Sequence, residues 1–133
     1  MTEEVEPAAS VHIQAVDFEY ISNVDLRWIA KADRLGHDSR PAGQLIQDLA
    51  DQRMRLWRIS GPAQGVLIVS RTPSFLWVEA IAGNGLIFQA TAIRDKLHEI
   101  AGGLPVKCAV SHPILERLYR RMGYRQVAVI MEA

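Results

Sequence analysis

One stretch limits what this chain can fold into more than any other. Phe75-Leu76-Trp77-Val78-Glu79-Ala80-Ile81 reads as a strand and Gly83-Asn84-Gly85 as a turn. Leu86, Ala90, Ile93, Leu97 and Ile100 then fall four, three, four and three apart, so they share one helical face. Gly102-Gly103 ends that helix and Pro105 bars its continuation. Val106, Cys108 and Val110 alternate with Lys107 and Ala109, as a strand does. Pro113 opens a last helix and Gly123 closes it, each glycine or proline where its backbone suits the helix end. Two strands joined through a helix run parallel, with a right-handed crossover. The chain is thereby committed to an α/β fold.

The rest of the sequence builds onto that unit. Residues 1–10 are acidic, carry Pro7, and show no period, which predicts a flexible arm ahead of a single domain over 11–133. Val11, Ile13 and Ala15 alternate with His12 and Gln14 in a first strand. Ser22-Asn23-Val24-Asp25 has the form of a capping box, and Val24, Trp28, Ala32 and Leu35 follow at helical spacing up to Gly36. Pro41 starts a second helix with a stripe of Ala42, Leu45, Ile46 and Leu49. Leu56–Ile59, Val66–Val69 and Phe75–Ile81, joined by short turns, predict an antiparallel meander. The apolar face of the last helix is Ile114, Leu115, Leu118, Tyr119 and Met122, and Arg125 to Met131 is a closing strand. The expected order is β-α-α-β-β-β-α-β-α-β around a mixed sheet.

Composition narrows the function. Fifteen basic and fifteen acidic residues cancel, which argues against a dedicated nucleic-acid binder. Cys108 stands alone, so no intramolecular disulfide forms, as befits a reducing compartment. The acidic N-terminus is unlike a secretory signal and no apolar run is long enough for a membrane span, so the cytoplasm is expected. His12, His37, His98 and His112 have no metal-ligand spacing, and no Gly-x-Ser-x-Gly elbow is present.

The element order and one motif, Tyr119-Arg120-Arg121-Met122-Gly123-Tyr124, resemble the GNAT superfamily of acyl-CoA-dependent N-acyltransferases. The resemblance covers roughly Val11 to Met131. Many members end a late helix in Tyr-x-x-x-Gly-Phe or Tyr. The resemblance implies that Tyr119 sits beside the acyl thioester and protonates the departing thiolate, which a phenol held within hydrogen-bond reach can do. It implies that Leu76–Ile81 and Val106–Val110 splay apart to admit a pantetheine arm. It further implies that Glu79, on the third meander strand, helps deprotonate an acceptor amine, on a small molecule or a protein. The cofactor-binding set is then Ile81, Gly83, Asn84, Gly85, Leu86, His112 and Arg120, with acetyl-CoA or another acyl-CoA as co-substrate and no metal.

The sequence departs from that family at the pyrophosphate loop, normally Gln/Arg-x-x-Gly-x-Gly/Ala. Gly83-Asn84-Gly85 supplies the glycines, but the position three residues before Gly83 is Ala80. His112 replaces the Asn often found at the head of the last helix. Kept layout with a degenerate loop also resembles short GNAT-like proteins of bacteriophages, for several of which a virion or other phage role is suspected. Two readings therefore stand side by side: an N-acyltransferase, and an inactive structural or interaction protein that works as an oligomer or in a phage particle. Bland roles compete at each residue: Tyr119 as a core tyrosine, the glycines as turn residues, Glu79 as a solvated strand residue, and Arg117, Arg120, Arg121 and Arg125 as a solvated face. Trp28, Trp57 and Trp77 fit core or interface anchors, and Cys108 a small core residue.

Overall fold

Alternation along residues 11–16 becomes β1 (His12–Val16), which pairs antiparallel with β2 (Arg55–Ser60). In the computed structural model, which describes residues 10–34, 42–109 and 113–125, β2 continues into β3 (Gln64–Arg71) and β4 (Leu76–Asn84) as an antiparallel meander. A crossover through α3 (Ala90–Ala101) then brings β5 (Val106–Cys108) parallel to β4. The five strands lie in the order β1-β2-β3-β4-β5. The result is the mixed α/β architecture expected for a GNAT-like fold. Residues 126–131 of the expected closing strand, residues 1–9 of the arm, Leu35, Gly36, Pro41, Val110 and His112 lie outside the described residues.

Two helical layers sandwich the sheet. α1 (Asn23–Arg34) and α2 (Ala42–Ala50) cover one face through Ile29, Ala32, Leu45 and Leu49, which meet Leu56, Val66, Ile68, Ala80 and Ala82. α3 and α4 (Pro113–Arg121) cover the other through Ile93, Leu97, Leu115, Leu118 and Tyr119, against Leu67, Val78 and Ile81. β3 is buried on both faces, which is why it reads as a continuous apolar run rather than an alternation.

The α1 start shows how local chemistry fixes this layout. Ser22 N donates to Asp25 Oδ2 at 2.9 Å and Asp25 N to Ser22 Oγ at 3.2 Å, a reciprocal capping box. Arg58 of β2 then clamps the same carboxylate, Nε to Oδ1 at 3.0 Å and Nη2 to Oδ2 at 2.6 Å. That fork rotates α1. Asp25 is buried, and Val24, expected on the apolar stripe, is 53 % exposed. The burying face is Asp25, Ile29 and Ala32, with Trp28 half-buried. On α4 the expected Ile114 is likewise 64 % exposed, while Leu115, Leu118, Tyr119 and Met122 are buried.

Candidate active site

β4 is longer than its sequence suggests, and the extra length bears on the site. Gly83 and Asn84 belong to the strand rather than to a turn, paired with Gly65 and Gln64 of β3. A Cβ on Gly83 would stand 2.1 Å from the Gln64 carbonyl oxygen, and one on Gly65 would stand 2.1 Å from that of Ala82. Only a glycine pair lets the two backbones approach so closely. The chain turns instead at Gly85, with φ of 73°, into a single 3-10 turn, Leu86–Gln89, ahead of α3. The helix starts later than the apolar spacing predicts, because Leu86 packs into the core from that 3-10 turn. Asn84 is exposed, and Phe88 is 83 % exposed.

β4 and β5 share only three pairs, Leu76 with Val106, Trp77 with Lys107 and Val78 with Cys108. Beyond Val78, the described part of β5 gives β4 no partner. On the other side, β3 pairs Val69 with Val78 and Ile68 with Ala80, which leaves Glu79 as the extra residue of a β-bulge. The bulge inverts the alternation. Leu76 and Val78 face α3 and α4 before it, and Ile81 faces the same way after it. Ile81 is accordingly fully buried against that layer, not turned to an open channel.

Glu79 is turned the other way, toward α2. It lines a cleft of about 400 Å³ with Gln44, Asp48, Arg53, Met54 and Ser70. It is only 5 % exposed, and a carboxylate that deep has to be hydrogen-bonded. Ser70 Oγ donates to Glu79 Oε1 at 2.6 Å. Asp48 is buried in the same cleft, accepts from Gln44 Nε2 at 3.1 Å and faces Arg53 Nη1 at 3.7 Å. A larger hollow of about 1120 Å³ opens near the beginning of β4, between Phe18, Met54, Trp57, Arg71 and Ile100. It does not include Gly83, Asn84 or Gly85.

Tyr119 comes from the opposite layer and is 2 % exposed. Its hydroxyl neighbours the thiol of Cys108, the last residue of β5. Burial, then Cys108 and Tyr124 nearby, holds the Tyr119 phenol well above the ordinary tyrosine range. Burial also pushes the Cys108 thiol up to about 12, only partly offset by the neighbouring Tyr119 hydroxyl. Tyr119 thus keeps its proton through the neutral range, and Cys108 stays a thiol rather than a nucleophilic thiolate.

The motif around Tyr119 also has a backbone explanation. Gly123, at φ of 87°, ends α4 with its N–H on Arg120 O and the Tyr124 N–H on Tyr119 O, each at 3.0 Å. These are the two bonds of a Schellman stop, and the accompanying apolar contact is Tyr119 on Tyr124, ring centroids 5.1 Å apart. Tyr-x-x-x-Gly-Tyr therefore encodes a helix end as well as a hydroxyl. Arg120 is an exposed surface residue, its guanidinium on Glu116 one turn back at 3.0 and 3.1 Å.

The structure brings Glu79 and Tyr119 to the two faces of the sheet beside the last described β4–β5 pair, Val78 with Cys108. It does not gather Arg120 to them. Sequence reading missed Ser70, Asp48 and Lys31, whose Nζ donates to the Gly83 carbonyl at 3.0 Å. The uninterrupted apolar run of β3 hid Ser70 at its end. Among the described residues, no His, Cys, Asp or Glu group is placed to hold a metal ion, and no helix is long and apolar enough to cross a membrane.

No protein-family model and no curated protein matches the chain. Two solved structures share its fold. One is a predicted acetyltransferase with acetyl-CoA from Clostridium acetobutylicum, 16 % identical, with a TM-score of 0.60, covering 92 % of this chain and 95 % of its own. The other is a possible acetyltransferase from Clostridium difficile, 12 % identical, with a TM-score of 0.56, covering 93 % and 96 %.

Proposed function

We propose that the chain is an acyl-CoA-dependent N-acyltransferase that acetylates an amine. The observation that carries this reading is a buried carboxylate, Glu79, and a buried phenol, Tyr119, on the two faces of the sheet beside the last described β4–β5 pair, Val78 with Cys108. A structure of the same fold holds acetyl-CoA, which supports a thioester as co-substrate here. On this reading the edge of β4 from Glu79 to Asn84 offers its backbone groups to the amides of a pantetheine arm. Ile81, Gly83, Asn84, Gly85 and Leu86 would border that arm.

Each residue then has a defined task. Gln44, Asp48 and Ser70 line the approach of the amine from the α2 side. Glu79 takes the proton that the nitrogen loses as its lone pair forms the new C–N bond. Tyr119 gives its hydroxyl proton to the thiolate released as the C–S bond breaks. The held acid and held base lower the barrier chiefly by their placement.

Calorimetric titration with acetyl-CoA tests the proposal. Saturable heat and a thermal upshift are expected, and neither at millimolar ligand would overturn it. A second reading keeps the fold as an interaction module, in an oligomer or a phage particle. The exposed Phe88 and the buried Leu86, in the 3-10 turn where phosphate would bind, favour it. Light scattering separates the two: a fixed oligomer or complex with no acetyl-CoA binding selects the module.

A further inference from the structure

From Ala80 to Ile93 the chain carries no charged side chain. Those residues form the second half of β4, the 3-10 turn and the first turn of α3. A CoA thioester is polyanionic, so on the acyltransferase reading any cation that meets its phosphates at this end of β4 comes from another element. Lys31 of α1 does so. Its Nζ donates to the Gly83 carbonyl at 3.0 Å, on the part of β4 that the described β5 does not reach. The ammonium lies 5.4 Å from the centroid of the Trp28 ring, which steadies it without neutralising it. Among the described residues no carboxylate pairs with it. An ammonium has three donors, and one is spent on Gly83.

We propose that Lys31 is the phosphate-binding residue of this site, reaching a CoA thioester from α1 in place of a cation on the turn before α3. The proposal rests on the acyl-CoA reading above. A merely structural lysine, capping one strand carbonyl, would hold β4 against α1 and leave ligand charge irrelevant.

The test compares CoA with pantetheine, which has the same arm and no phosphates, by calorimetry on the full chain. Wild type is expected to bind CoA more tightly than pantetheine. Lys31→Met should weaken CoA about ten- to a hundred-fold and leave pantetheine unchanged. It should also flatten the loss of CoA affinity with added salt. Lys31→Arg keeps the charge and still donates to Gly83, so it should retain CoA affinity within a few-fold even if Lys31→Met folds poorly. Equal CoA affinity in wild type and Lys31→Met, or equal weakening of CoA and pantetheine, overturns the proposal. Wild type that binds neither ligand overturns the acyl-CoA reading and the proposal with it.

Discussion

Ser70 Oγ stands 2.6 Å from Glu79 Oε1, a hydrogen bond from the end of β3 to the one residue of β4 that the ladder skips. The bond holds a buried carboxylate in the cleft under α2. Glu79→Gln keeps the shape and removes the base. It should lower kcat by roughly a hundred- to ten-thousand-fold with CoA affinity unchanged. Ser70→Ala should cost less and act through the same step, so the double variant should be no worse than Glu79→Gln. Steady-state kinetics with binding measured in parallel decides this.

Tyr119→Phe removes one hydroxyl and preserves the ring contact with Tyr124. The rate should fall roughly ten- to a thousand-fold while CoA binding persists. An unchanged rate would take Tyr119 out of the mechanism.

The thiol of Cys108 is raised from 9.0 to about 12 in the folded chain. Below pH 9 both states hold the proton. Above it the unfolded chain releases a proton that the folded chain retains, so stability falls as pH rises from 9 toward 12. Tyr119, raised above 10.0, adds to the loss at higher pH. Thermal unfolding across this range should show a declining Tm, and Cys108→Ala should remove the part that begins near pH 9. A flat profile between 9 and 11 in wild type would contradict it.

Asp25 behaves with the opposite sign. Burial alone would raise its pKa, but hydrogen bonds from Arg58 and Ser22 outweigh that, and the folded value lies below 3.8. Its contribution is present above the unfolded value and is lost as pH falls through the folded one. Arg58→Ala leaves a buried carboxylate without its fork and should cost about 1–3 kcal/mol at neutral pH. Asp25→Ala should cost less, since the Arg58 side chain is 40 % exposed and reaches water. Denaturant titration of both variants checks the order.

Gly83→Ala puts a methyl group 2.1 Å from a backbone oxygen and should destabilise severely. At Gly43, on the exposed side of α2 with nothing within 4 Å, alanine should add about 0.5–1 kcal/mol. Thermal melts of the pair separate a glycine needed for close approach from one that is not.

Periodicity carried the architecture. The α3 stripe, the meander and the parallel crossover are written in residue spacing, and spacing reports which face is buried. It could not report which way α1 turns, because Asp25 is drawn inward by an arginine far along the chain. Nor could it report the bulge, since Val78-Glu79-Ala80 looks like any strand until β3 is set beside it. Glu79 and Tyr119 were legible as candidate groups, while Ser70 and Lys31 were not. Their roles depend on contacts between distant segments, and the chain holds no local mark of them.

The bulge has a consequence for how such a site is lost. Removing codon 79 would shorten β4 by one residue, bring Val78 and Ala80 into plain alternation, and relieve the ladder of its irregularity. The carboxylate and the irregularity would vanish in one step, and Ser70 would lose its partner. A chain lacking residue 79 should therefore still fold, and a thermal melt of that deletion variant would report how much stability the bulge costs or contributes.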